Sequence, residues 1–260
     1  MKRFWKDLKG HYKYALYAAK SELKSEVANS YLNWIWWVLE PFCFMLIYTF
    51  IFGVVFDARE PYFPVYIFIG LTLWNFFSKS VSRSVRLVKI NKGVISKVYL
   101  PKFILILITM FVNGFKMLIG FGIVLVMLIF FKVPVGINIL YLIPLLIEFY
   151  VFTFGCCTFL LHFGVYIEDL SNIVNIVLRL LMYLTGIFFN IETRLDAPYN
   201  AYVLHLNPVA FFISSMRKVV LNNTTPSLEW MLLYLVIAVL ISVLGIRLIY
   251  KEENNYVKAI

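Results

Sequence analysis

Two spacings of apolar residues organise the chain. In the first thirty residues Trp5, Leu8, Tyr12, Leu16, Ala19, Leu23 and Val27 recur at every third or fourth position, and Lys6, Lys9, Lys13, Lys20 and Lys24 fall mainly between them. That period predicts an amphipathic basic helix over residues 1–30, lying in a membrane surface with its apolar face in the headgroup boundary. An exposed cytoplasmic helix with an ordinary apolar stripe has the same spacing; the lysines and the early Trp5 favour the interfacial form. The segment has no apolar run long enough for a signal peptide or a span.

Beyond it the apolar residues run in blocks: Tyr31 to Phe56, Pro64 to about Val85, Phe103 to Phe131, Ile139 to Phe163, Ile173 to Phe189 and Trp230 to Ile249. A bilayer span needs about 20 mostly apolar residues, so these blocks predict six transmembrane helices and an all-α polytopic membrane domain over 31–260. Runs such as "GIVLVMLIFF" lack the alternation of a barrel strand. The second block is purely apolar only to Phe77, so Lys79 and Arg83 must snorkel or face protein. The fifth is short and contains Arg179.

Composition agrees: 62% of the residues are hydrophobic and 15% charged, against about 25% charged in soluble domains. The distribution of charge sets an orientation. Of the 24 Lys and Arg, seven precede Ser25, seven lie between Lys79 and Lys102 (79, 83, 86, 89, 92, 97 and 102) and three near the C-terminus (247, 251 and 258). Arg59, Lys132, Arg194, Arg217 and Lys218 are left for the other face. The positive-inside rule then makes both termini and the Lys79–Lys102 loop cytoplasmic. The turn at Ile167, Glu168 and Asp169 falls inside without a base. The net charge of +10 fits a cytoplasmic face against anionic lipid headgroups rather than nucleic acid.

Several chemistries have no residues to carry them. Cys43, Cys156 and Cys157 all sit in apolar blocks and read as small core residues; His11, His162 and His205 form no ligand pair, so no metal site is expected. There is no GxxxxGK[ST] phosphate loop and no GxSxG, so ATP hydrolysis by that route and nucleophile-elbow catalysis are not expected. Four ionisable residues inside spans stand out: Glu40, Lys116, Glu148 and Arg179. Each is costly by about 2.5–3.5 kcal/mol on insertion scales. Either they form a polar translocation path in which Arg179 contacts phosphate, or they are ion pairs that fix helix packing. Glu40 precedes Pro41, whose missing N–H frees a carbonyl and can kink span one. Residues 190–229 are too polar for a span and too apolar for disorder, and predict a pair of re-entrant or surface helices ending in a turn at Asn222–Pro226.

The stretch "YLNWIWWVLEPFCFMLIYTFIFGVVF" resembles the first span of type-2 ABC permeases that export cell-surface polysaccharides: O-antigen, capsule and teichoic acid. In order along the chain, "FPVYIFIGLTLWNFF" resembles their second span through Pro64, Gly70, Leu71 and Trp74, and "INKGVISKVYLPKFIL" the cytoplasmic segment after it. "LNPVAFFISSMRKVVL" resembles their extracytoplasmic element through Asn207, Pro208 and Arg217. Two positions depart: Ile167, Glu168 and Asp169 stand where an Arg-Asp pair is common, and Thr185, Gly186 where Ser-Pro is common.

The resemblance implies a homodimer in the bacterial plasma membrane, bound to two copies of a separate ATPase that holds ATP and Mg, with this chain binding no cofactor. A lipid-linked polysaccharide would cross between the halves. Residues 86–102 would contain a short coupling helix ended by Pro101, with Val94, Ile95, Val98 and Tyr99 as apolar knobs and Lys97, Glu168 and Asp169 beside them. Residues 190–229 would be an extracytoplasmic gate that includes Asn207, Pro208 and Arg217. The six Trp, 17 Tyr and 25 Phe are mostly interfacial or lipid-facing by type. Trp34, Trp37, Tyr48 and Tyr183 are the candidate channel-lining rings, because spans one and five are the expected walls. An exporter of drugs or small lipids with the same fold, or an integral-membrane glycan-modifying enzyme, are the alternatives.

Overall fold

A computed structural model describes residues 2–28, 33–56 and 60–259. Tyr31 and Arg59, and the side chain of Lys258, lie outside the described residues. All regular structure within them is helical.

Helix α1 (Lys2–Val27) forms as expected, but only part of the expected stripe packs, Leu8, Ala19 and Leu23, and the buried face is rotated toward Phe4, Ala15 and Ala18. Phe4, Leu8, Ala15, Ala18, Ala19 and Leu23 turn inward, whereas Trp5, Tyr12 and Leu16 stay exposed. The apolar arc is wide enough to hold both stripes, and the two fully inward alanines let α1 approach its neighbour closely. That neighbour is α6 (Lys102–Phe130). The Phe4 ring sits 4.9 Å from Phe103, and at the other end Glu26 forms an ion pair with Lys116 at 2.6 Å. Roughly 33 Å of α1 therefore spans roughly 20 Å of α6 at the helical rise per residue, so α1 crosses α6 obliquely.

Each of the six apolar blocks is occupied by a helix: α2 (Trp36–Tyr48, continued by π-helical Thr49–Val55), α3 (Phe63–Ser84), α6, α7 (Leu142–Tyr166), α8 (Leu170–Leu184) and α12 (Leu228–Ala259). Among the described residues four stretches are long and apolar enough to cross a membrane: Trp36–Val55, Lys102–Phe130, Ile137–Tyr166 and Leu228–Tyr256. α3 has the length, but a polar stripe runs down one side. α8 stops at Leu184 instead of continuing to Phe189, because Gly186 adopts a left-handed φ of 67° just past its end, a conformation that ends helices and favours glycine. Pro41 lies inside α2, and helical structure continues past it.

α3 is the central element. Phe68, Leu73 and Phe76 on it, Phe103, Ile104 and Ile106 on α6, Phe149 on α7 and Phe212 on α11 (Pro208–Leu221) are buried in one continuous core. α7 and α12 pair most intimately. A Cβ on Gly245 would fall 1.8 Å from Thr158 Oγ1, the close approach that small residues allow where helices meet without a hydrophobic driving force. α2, by contrast, buries only Met45. Cys43 on that helix is exposed, which corrects the expectation that all three cysteines are core residues; only Cys157 is buried, with Cys156 partly so.

Candidate functional site

Arg3, Tyr99 and Glu253 mark one end of the bundle, the basic end. The Arg3 guanidinium bonds Glu253 and donates to the Tyr99 hydroxyl at 2.6 Å, while Tyr250 donates to Asp7 at 2.8 Å. The carboxylate of Glu253 raises the Arg3 pKa, and partial burial raises that of Tyr99; both hold their protons at neutral pH. The α7–α8 turn with exposed Glu168 and Asp169 lies at this end too, since Tyr166 just before it reaches Glu252 on α12.

Between α3 and α6 the chain makes two one-turn helices, α4 (Leu87–Ile90) and α5 (Lys92–Ile95). The expected single coupling helix is thus two, and Pro101 does not end it. Pro101 stands just before α6 as its N-cap, the ring fixing its φ at −57° while its ψ of 125° is still extended. Val94, Val98 and Tyr99 are exposed, as is Lys97, but Ile95 is buried with Leu87 and Val88 and serves as an anchor. Ile90, which sequence reasoning missed, is 61% exposed. With Val94 and Val98 it repeats every fourth residue, a signal that was legible in the sequence.

The opposite end holds α9 (Ile191–Arg194), α10 (Tyr199–Leu206) and α11. Here the residues expected to belong to a gate act as fasteners. Asn207 caps α11 by accepting from Val209 N at 3.1 Å and Ala210 N at 3.3 Å, and its amide donates to Thr185 Oγ1 at 3.3 Å. Pro208 occupies the first turn, where its missing N–H is harmless. Arg217 is only 6% exposed; it donates to the carbonyls of Tyr66 at 3.0 Å, Gly186 at 2.7 Å and Ile187 at 2.8 Å, and stacks on the Tyr66 ring at 3.4 Å. It is therefore a buried clasp that joins α3, the α8 terminus and α11. The turn after α11 forms as expected, with Asn223 at a φ of 51°.

The four intramembrane charges do not pair with one another. Glu40 faces Lys79 at 3.9 Å and Lys116 pairs with Glu26, both partners lying outside the expected set. Glu148 is buried with both carboxylate oxygens unpartnered among the described residues. Arg179 is exposed on α8. Three of the four candidate channel rings also separate by environment. Trp34 and Tyr183 are exposed, whereas Trp37 packs against Phe115 with its face beneath Lys116 at 5.7 Å. Tyr48 lies 4.7 Å from Phe188, which is 6.1 Å from Tyr183, so one aromatic group joins α2 to the end of α8.

A polar cleft is lined by α3, α6 and α8 and closed at one end by α2 and the tail of α1. It holds cavities of about 220 and 780 Å³ that share Glu26, Lys79, Asn113 and Lys116.

With four membrane-length apolar helices among the described residues, one basic end and a polar cleft let into its side, this helical bundle has the make-up of a multi-pass membrane protein. The ABC-2 type transporter family matches residues 16–221, and the chain belongs to that family. It is 25% identical to an O-antigen export system permease protein RfbA of Klebsiella pneumoniae over 236 residues, 90% of each chain. It is 27% identical to the protein of that name from Myxococcus xanthus over 209 residues, 80% of each chain.

Proposed function

We propose that the chain is the membrane-spanning subunit of an ATP-driven exporter that carries a lipid-linked polysaccharide of the O-antigen type across a bacterial plasma membrane. The observation that carries this reading is the end-to-end likeness to O-antigen export permeases, 90% of both chains in the Klebsiella pneumoniae comparison. A likeness confined to one motif would support a common fold and no more.

In this reading α2, α3, α6, α7, α8 and α12 are six spans, with both termini and α4–α5 cytoplasmic. The basic residues gathered around Arg3, α4 and α5 support that orientation. α3 needs little lipid compatibility because its neighbours sheathe most of it. α1 lies obliquely at the cytoplasmic interface, its exposed Trp5, Tyr12 and Leu16 set for the headgroup boundary. The scarcely buried α2 and the exposed apolar residues Ile173, Ile176, Leu180 and Tyr183 on α8 support a second copy of the chain as neighbour, with the conduit between the two.

In each copy of the chain Ile90, Val94, Val98 and Tyr99 form the knob that docks into one of two separate ATPase subunits, which bind ATP and Mg. Because the Tyr99 hydroxyl is engaged by Arg3, the cleaner test leaves Tyr99 alone and replaces Val94 and Val98 by Asp. An unpaired carboxylate forced into an apolar groove is costly by several kcal/mol. With the cognate ATPase co-expressed, the double variant is expected to lose at least tenfold of both surface polymer and stimulated ATPase rate at unchanged membrane abundance. Full stimulation in the variant refutes the docking surface. An intact, ATP-hydrolysing complex that puts no polymer on the cell surface refutes the polysaccharide reading.

A further inference from the structure

α1 divides its charges by sign. Its three acids are committed to partners within the protein: Asp7 to Arg3 and Tyr250, Glu22 to Arg83 and Glu26 to Lys116. Lys9, Lys13 and Lys20 are exposed, and their ammonium groups have no ion pair or hydrogen bond among the described residues. These lysines stand seven, three and four positions from Leu16, so all of them share its side of the helix. A cationic strip therefore runs along the exposed edge of α1, beside Leu16 and away from the buried Ala15 and Ala19.

Leu16 is also the lip of an apolar groove. The groove, about 460 Å³, follows the seam between α6 and α7, with Met110, Gly114 and Leu118 on one wall and Ile147, Tyr150 and Val151 on the other. It is open because α6 packs mainly on α3 and α7 mainly on α12, and because Gly114 contributes no side chain midway. The Tyr150 ring, stacked on Phe76 at 5.6 Å, floors it there. Among the described residues no charged side chain lines it, and its one hydroxyl, that of Tyr150, is buried. α1 meets α6 at Phe103 and again at Lys116, so Leu16, midway between these contacts, stands at the Met110 end. From Met110 to Leu118 the groove runs roughly 12 Å at the helical rise, comparable with the roughly 15 Å of hydrocarbon in one leaflet. A slot one leaflet deep that opens beneath an unpaired cationic strip matches an amphiphile with a leaflet-length chain and an anionic head.

We propose that the α6–α7 seam binds one anionic diacyl phospholipid, with an acyl chain in the groove and its phosphate among Lys9, Lys13 and Lys20. Both features are needed to select it. The groove alone would accept any acyl chain, and the lysines alone would attract anionic lipid anywhere along α1. A polyprenyl chain is much longer than the groove. The leaflet follows from the proposed orientation; the site depends neither on that nor on what the exporter carries.

The test uses the full chain in phosphatidylcholine vesicles, with Ile147→Trp at the exposed rim of the groove as reporter. Its fluorescence is quenched by dibrominated phosphatidylglycerol or by dibrominated phosphatidylcholine, and the parent chain gives the background of its own indoles. Leu232→Trp, exposed near the start of α12, reports ordinary lipid contact. At the Ile147→Trp reporter phosphatidylglycerol is expected to bind at least about tenfold more strongly than phosphatidylcholine, since each lysine near an anionic headgroup contributes roughly fivefold. At the Leu232→Trp reporter the two should agree within about twofold, as lipid contact without a basic strip does not sort headgroups. Lys13→Gln with Lys20→Gln should bring the preference in the groove down to about twofold, whereas Lys2→Gln with Lys6→Gln, which removes the same charge further along α1, should leave it near tenfold. Equal quenching by both lipids in the groove would make it ordinary lipid contact and overturn the proposal. An equal loss from both lysine pairs would do the same in favour of diffuse attraction to α1. Quenching by neither lipid would mean that a second copy of the chain covers the seam, and displacement of phosphatidylglycerol by a polyprenyl phosphate would give the groove to the transported lipid; either result refutes the assignment. Should Ile147→Trp fail to fold, Leu118→Trp, 61% exposed at the other end of the groove, takes its place with the same outcomes.

Discussion

Replacing Arg217 by Met keeps the length of the side chain and removes its donors. Three carbonyls, those of Tyr66, Gly186 and Ile187, lose their charged partner at once, and hydrogen bonds to charged groups contribute about 1.5–3 kcal/mol each. The gross loss of about 5–9 kcal/mol is offset in part, because a guanidinium no longer has to be held out of water and the thioether still covers the Tyr66 ring. A net destabilisation of about 3 kcal/mol is the expected remainder. At roughly 2–4 °C per kcal/mol for a chain of this size, the midpoint of thermal unfolding in detergent should fall by about 6–12 °C. The loss should also be local: amide exchange should speed up at residues 184–191, where two of the three carbonyls lie, and little in α7 or α12. Gly70 gives an independent check. A Cβ there would fall 2.5 Å from the nearer Arg217 nitrogen, so Gly70→Ala should dislodge the same clasp, and the double variant should be less destabilised than the two single effects added together. A melting point within about 2 °C of the parent for Arg217→Met, with exchange at 184–191 unchanged, would refute the clasp.

Glu148 is buried without a partner, so Glu148→Gln should leave the thermal midpoint unchanged or higher; a fall of more than about 4 °C, roughly 1–2 kcal/mol, would show that the carboxylate has an interaction the packing does not reveal. For orientation, single cysteines at Ala201 and at Ser96 or Asn255 should be introduced after Cys43, which is exposed, has been removed with the other two. An impermeant thiol reagent added to intact cells should label the first and neither of the others, and labelling at Ser96 would reverse the topology.

The sequence by itself determined the helical class, the presence of a helix in each main apolar block and the basic end. These depend on composition and on local period, and a bilayer enforces both over whole segments. It could not determine which face of α1 packs, because a wide apolar arc contains several equivalent stripes until a neighbour selects one; α6 selects Ala15 and Ala19 over Leu16 by closeness of approach. Nor could it pair charges that lie far apart along the chain. Glu40, Lys116, Glu148 and Arg179 drew notice as a balanced set, yet Glu26 at the end of α1 and Lys79 on α3 are the actual partners, reached only because α1 crosses α6 obliquely and α2 lies beside α3. Pro64, Gly70, Asn207 and Arg217 were legible as motif positions, and Ile90 as one step of a four-residue repeat. That Gly70 is small because a guanidinium passes over it from 147 positions later in the chain was not legible, since nothing local to either residue requires the other. The cleft is of the same kind: its stripe on α3 was visible as an anomaly in the second span, but only the fold sets Arg179, Asn113 and Lys116 against it and turns an awkward span into the wall of a polar cleft.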